Sequence, residues 1–217
     1  MAENPRACRI CEKRRPRRFC PGVSGDICPI CCGTQREVTV SCPLDCVYLK
    51  DARTHERLPE IDSRQFPNND IRVDEDFLRR NEPLLILIAS GLARGALITA
   101  GAVDSDVKEA LDSLVRTYRT LHSGLVYEAR PDNVIAARVH TAVQESVQQI
   151  RTKIEEQNQI LRDADVLGVL AFLQRLEIQH NNGRPKGRAF IDFLRGFFPP
   201  AATAPETSPA SGLIVTP

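Results

Sequence analysis

The sequence predicts a mainly α protein. A small N-terminal cysteine-rich module, made of short strands plus a helix, precedes an antiparallel four- to five-helix bundle and a disordered C-terminal tail. Three observations predict this. All eight cysteines of the 217-residue chain fall between Cys8 and Cys46. From about residue 74 onward, apolar residues recur at helical spacing. After Phe198 the chain turns to Pro, Ala, Thr and Ser. The boundaries read as module 1–50, linker 51–73, bundle 74–198 and tail 199–217.

In the module, Cys8-Arg9-Ile10-Cys11 is followed, after sixteen intervening residues, by Cys28-Pro29-Ile30-Cys31. Two C-x-x-C pairs at this separation match a zinc-site spacing. Each pair turns two thiolates toward one ion, and zinc takes four such ligands as a tetrahedron. The remaining cysteines are Cys20, Cys32, Cys42 and Cys46, and Cys42-Pro43-Leu44-Asp45-Cys46 opens an apparent helix at Val47. Thiolates there gain from the positive end of the helix dipole. Arg36–Val40 alternates and reads as a short strand. Knuckle, strand and ligand-bearing helix together give a treble-clef plan. Two structural zinc ions on eight thiolates is the expected occupancy.

The pairing has two solutions. Cys8, Cys11, Cys28 and Cys31 can share one ion, leaving Cys20, Cys32, Cys42 and Cys46 for the other. Alternatively Cys28, Cys31, Cys42 and Cys46 form the treble clef, leaving Cys8, Cys11, Cys20 and Cys32. Disulfides, an iron–sulfur cluster and a thioredoxin-type redox pair are weaker readings. The N-terminus carries no apolar signal segment, so the expected location is cytoplasmic, where thiols stay reduced. No βαβ pattern surrounds Cys28-Pro29-Ile30-Cys31.

Net charge is +1, which gives no global pull toward nucleic acid or membrane. Residues 1–36 nonetheless hold eight Lys/Arg against three Asp/Glu, a balance of +5. Lys13, Arg14, Arg15, Arg17 and Arg18 form one run, a candidate phosphate-binding segment. Two tetrathiolate zinc sites carry a formal −4, so these cations also fit a charge-balancing role. A second basic loop, Arg184, Lys186 and Arg188 between Gly183 and the next helix, is either an anion- or nucleic-acid-binding turn or a polar connector.

The helices follow in order. A short one starts near Asp74. Pro83 sits in the first turn of the next, which runs to about Ala100 and is apolar enough to be the buried centre of the bundle. A membrane span over Leu84–Val103 is the rival, but Arg94 at mid-bilayer costs about 2.5–3.5 kcal/mol, and the later amphipathic helices need a buried partner. Ser105–Tyr127 carries an a/d seam at Val107, Leu111, Leu114, Tyr118, Leu121 and Leu125, suited to internal packing or to a dimer contact. Asp104 or Asp106 caps its start. Asn133–Leu161 presents Val139, Val143, Val147, Ile150 and Ile154 on one stripe. Asp165–Gln179 ends before Asn181-Asn182-Gly183, and Gly187–Phe197 closes the bundle.

No nucleophile–base, H-E-x-x-H or P-loop motif occurs, so no catalytic residue is assigned. The expectation is a non-enzymatic zinc-binding interaction or adaptor module whose partner is another protein. A nucleic-acid-binding regulator using residues 13–18 and 184–188 is one alternative, and a thiol/zinc redox sensor another.

The stretch from Cys28-Pro29-Ile30-Cys31-Cys32-Gly33-Thr34-Gln35-Arg36 to Cys42-Pro43-Leu44-Asp45-Cys46-Val47-Tyr48-Leu49 resembles a family of uncharacterised bacterial proteins. In these a C-P-x-C-C-G-T-x-R…C-P-x-D-C-x-Y-L signature precedes a helical region. The resemblance extends less strongly to Arg116–Thr120 and Tyr127–Asn133. It implies a bacterial cytosolic protein with a metal-binding module and supplies no mechanism.

Overall fold

The computed structural model describes residues 7–57, 61–62 and 66–199. The fold is mainly helical, with one short two-stranded sheet near the N-terminus. The expected disordered tail lies outside the described residues from 200 onward.

Strand β1 (Arg18–Cys20) and strand β2 (Gly25–Ile27) form an antiparallel hairpin, with Phe19 opposite Asp26. Helix α1 (Pro29–Gln35) begins at Cys28, whose sulfur accepts the Cys31 N–H. Pro29 fits its first turn, where no N–H is required. The strand expected at Arg36–Val40 is instead a tight turn closed by a single Arg36–Val40 bridge. Glu37 there sits at φ 55°, a left-handed conformation incompatible with a continuous strand. Helix α2 (Val47–Arg53) starts from Cys46.

The bundle comprises α3 (Glu75–Arg80), α4 (Glu82–Ile98), α5 (Asp104–His122), α6 (Val134–Glu156), α7 (Asp163–His180) and α8 (Ala189–Phe197). Asp74 caps α3 through the Phe77 N–H at 2.8 Å, and Asn133 caps α6 through the Ile135 N–H at 2.8 Å. Helix α4 packs chiefly on α6, and α5 on α7 and α6. Glycine brings α4 and α6 together. A Cβ on Gly95 would lie 2.8 Å from that of Ala142, and one on Gly91 would run into the Ser146 side chain. Val107, Leu111, Leu114 and Tyr118 of the α5 seam are all buried in the shared core, so the seam serves internal packing. Among the described residues no helix is long and apolar enough to cross a membrane.

The module and the bundle interlock. Leu44 belongs to the bundle's apolar core. The carboxylate of Glu37, which is fully buried, accepts hydrogen bonds from Arg53 Nη2 (2.8 Å), Asn182 Nδ2 (2.9 Å) and the Arg188 N–H (3.0 Å). Its carbonyl accepts the Lys186 N–H at 2.8 Å. Arg53 also pairs with Asp192 on α8. Asp104 caps α8 rather than its own helix, taking the N–H groups of Phe190 (3.0 Å) and Ile191 (3.1 Å). Asp106 receives the Val103 N–H at the start of α5.

Candidate metal centre

Cys8, Cys11, Cys28 and Cys31 bring their sulfurs to within 4.8 Å of one another. Local backbone geometry makes this quartet. The Cys8 N–H bonds Arg14 O at 2.9 Å, and Glu12, at φ 53°, returns its N–H to Cys8 O at 2.7 Å, folding the first knuckle. The knuckle is laced to the hairpin by Arg9 N–H to Asp26 O (2.9 Å) and Arg17 N–H to Ile27 O (3.0 Å). The second pair sits at the N-terminus of α1, where the Cys28 N–H points at Cys8 Sγ (3.2 Å) and the Cys31 N–H at Cys28 Sγ (3.4 Å).

The electrostatics are those of a thiolate cage. The N–H groups of Lys13 and Arg14 draw the Cys11 thiol down to about 6. Cys28 is lowered chiefly by the Cys31 N–H. Burial, reinforced by the neighbouring sulfurs, pushes Cys31 up to about 12. The Arg14 guanidinium has its own pKa raised, chiefly by Cys28. Four thiols this close hold their charge together only around a cation, which displaces the remaining proton as it binds. Tetrahedral zinc with sulfurs at about 2.3 Å sets neighbouring sulfurs about 3.8 Å apart, within the spacing this quartet provides. The donor set therefore fits one metal ion, with four protein ligands and no open position.

The observed quartet is the first of the two pairings. Cys28 and Cys31 join Cys8 and Cys11, not Cys42 and Cys46. The other four cysteines, Cys20, Cys32, Cys42 and Cys46, line one adjoining cavity together with Cys31 of the quartet, Arg18, Arg36 and Tyr48. Among the described residues they are not part of any set converging to within 4.8 Å. Cys32 Sγ receives Arg18 Nη1 at 3.5 Å, and Arg36 Nη2 approaches it at 4.0 Å. Burial raises the Cys42 thiol, with the Glu37 N–H pulling the other way and the Cys20 and Cys46 sulfurs adding to the rise. Adjacent Cys31 and Cys32 diverge, Cys31 into the quartet and Cys32 toward the arginines.

The basic segments take different surroundings. Lys13, Arg14, Arg15 and Arg17 are exposed around the first knuckle. Arg18 is half-buried and stacks over Tyr48, 4.2 Å from the ring centroid. The loop at 184–188 faces inward onto the module. Arg184 pairs with Glu56 at 3.1 Å, Lys186 Nζ donates to Thr39 O at 2.6 Å, and the Arg188 backbone holds Glu37. Of the histidines, His55 and His122 are exposed, His140 is buried with its pKa lowered by burial, and His180 stacks on Phe193. None approaches the cysteines closely enough to join them. Glu37 and Arg53, which join module to bundle, are linking positions the sequence pattern does not reveal. Their partners lie more than a hundred residues away.

Comparison with family models, with curated proteins and with solved structures returns no match.

Proposed function

We propose that this is a non-enzymatic, zinc-held interaction protein. Zinc occupies the Cys8, Cys11, Cys28 and Cys31 site, a second zinc is taken by the remaining four cysteines, and the module presents a surface to another protein. The observation that carries the reading is the closed tetrathiolate quartet. Four protein ligands leave no position for water or substrate, the arrangement of a structural rather than a catalytic zinc. A module of this size cannot bury enough surface to hold itself without such a staple. The exposed apolar side chains Phe19, Ile30 and Val47, which are 62%, 53% and 68% accessible, give the module a contact surface, since aromatic and aliphatic anchors dominate protein interfaces.

Elemental analysis of reduced, untagged protein tests the metal. Zinc at one or two ions per chain agrees, and iron or no metal removes the reading. For the surface, Phe19→Glu and Val47→Glu should abolish binding to the partner while leaving the zinc content unchanged. A second reading, nucleic-acid binding, is favoured by the exposure of Lys13, Arg14, Arg15 and Arg17 on one knuckle. It requires retardation of DNA or RNA that weakens steeply with salt, and absence of binding at low salt removes it.

A further inference from the structure

The turn Cys42–Cys46 has two faces. Cys42 and Cys46 line the cavity shared with Cys20 and Cys32. Between them Leu44, 6% exposed, is inserted into the apolar core of the bundle. The turn is closed by the Cys46 N–H to Pro43 O at 3.0 Å, so thiols and leucine move as one unit. Arg195 of α8 anchors the same turn through Asp45 Oδ1 (3.1 Å) and Leu44 O (3.5 Å). A second path runs through Glu37. Its backbone N–H lowers the Cys42 thiol against the rise that burial brings, while its carboxylate and carbonyl hold Asn182, Lys186 and Arg188.

The two cysteine sets also differ in preparation. The first converges on a common centre. The second surrounds a space of ≈ 20 Å³, room for about one water-sized body. Its ligands sit on three separate segments: Cys20 ends β1, Cys32 lies on α1, and Cys42 and Cys46 flank the docking turn. Soft thiolates select zinc or another thiophilic ion. Two arginines at Cys32 offset the charge that a tetrathiolate site accumulates.

We propose that Cys20, Cys32, Cys42 and Cys46 form a second, exchangeable zinc site whose occupancy fastens the module to the helical bundle through the Cys42–Cys46 turn and Glu37. This rests on the zinc-held reading above and adds that the two ions have different roles. The first ion folds the module, and the second sets its attachment. Coupling of this kind is reciprocal: whatever loosens the turn from the bundle weakens zinc at the second site by the same factor, and loss of that zinc loosens the bundle contacts.

The test uses the full chain loaded with zinc. Native mass spectrometry reads ion stoichiometry, and hydrogen exchange reads the amides of Lys186 and Arg188, both of which donate to Glu37. A moderate competing chelator should remove one ion while the other stays, and these amides should then exchange at least about ten-fold faster. C42S/C46S should hold one ion and show the same fast exchange without chelator. Leu44→Ala, which leaves every thiol in place, should still bind two ions but hold the weaker one about ten-fold less tightly. One ion in both the wild type and C42S/C46S overturns the second site and leaves the first intact. Two ions that leave together, or amides that stay protected after the first leaves, overturn the coupling. A wild-type chain without zinc overturns both readings.

Discussion

Replacing Glu37 by alanine should be the most damaging single change at the junction between module and bundle. The side chain is fully buried, and alanine keeps the same Cβ at φ 55°, so the substitution leaves the backbone strain unchanged and deletes only the carboxylate. Three hydrogen bonds go with it, from Arg53, Asn182 and the Arg188 N–H. Removing one side of a buried ionic network costs about 3–5 kcal/mol. Two partners limit the damage, because Arg53 keeps Asp192, and Arg184, whose Nη1 lies 3.9 Å from Glu37 Oε2, keeps Glu56. The Asn182 amide and the Arg188 N–H keep no such substitute. The expected loss is therefore at the lower end, about 3 kcal/mol. The assay is urea unfolding of the zinc-loaded chain at neutral pH, wild type against Glu37→Ala, with metal content checked in both. A loss below about 1 kcal/mol, the worth of an ordinary exposed pair, would refute the argument that Glu37 is the buried link.

Three further outcomes are expected. Glu177, 1% exposed, is raised by burial to about 7 from the ordinary carboxylate value of 4.5. The folded state thus favours its protonated form, and this contribution is fully present below pH 4.5 and lost as pH rises through about 7. Glu177→Gln should stabilise the protein by about 3 kcal/mol at pH 8 and by under about 1 kcal/mol at pH 5; a gain independent of pH in paired denaturation curves counts against it. Gly95→Ala places a methyl 2.8 Å from Ala142 Cβ, and should cost about 1–3 kcal/mol by overpacking α4 against α6, read as a lowered urea midpoint; a neutral effect means the helices separate freely. A strong chelator should reduce helical circular dichroism by no more than the seven residues each of α1 and α2, and collapse of the whole signal would show that the bundle core depends on the metal.

The bundle was legible because its signals are local. Helices α3 to α8 fall where apolar periodicity and caps put them, and Asp74 and Asn133 act as written in the sequence. Two helices end short of the sequence pattern, while α7 exceeds it at both ends. Helix α5 stops at His122 because Gly124 turns at φ 79°, leaving Leu125 64% exposed, and α6 stops before Asn158 at φ 56°. The hairpin leaves no such trace, because three-residue strands are too short to show alternation. Arg36–Val40 does alternate, yet it is a turn: Gln35 O takes the N–H groups of Val38, Thr39 and Val40, and Asn182 and Arg188 hold the Glu37 carboxylate. The Cys8, Cys11, Cys28 and Cys31 quartet was legible from spacing alone. Choosing it over the treble-clef pairing required the fold.

The reach of Glu37 orders events during synthesis. It is 145 residues ahead of Asn182, and at 5–20 residues per second the ribosome needs roughly 7–30 s to make that partner. The cysteine-rich segment therefore emerges with its linking carboxylate still without Asn182 and Arg188 while the bundle is being made. Leu44, Arg53 and Glu37 find their places only when the segment containing Asn182, Asp192 and Arg195 arrives. These contacts thus form late, joining the cysteine-rich segment to residues made 145 positions after it.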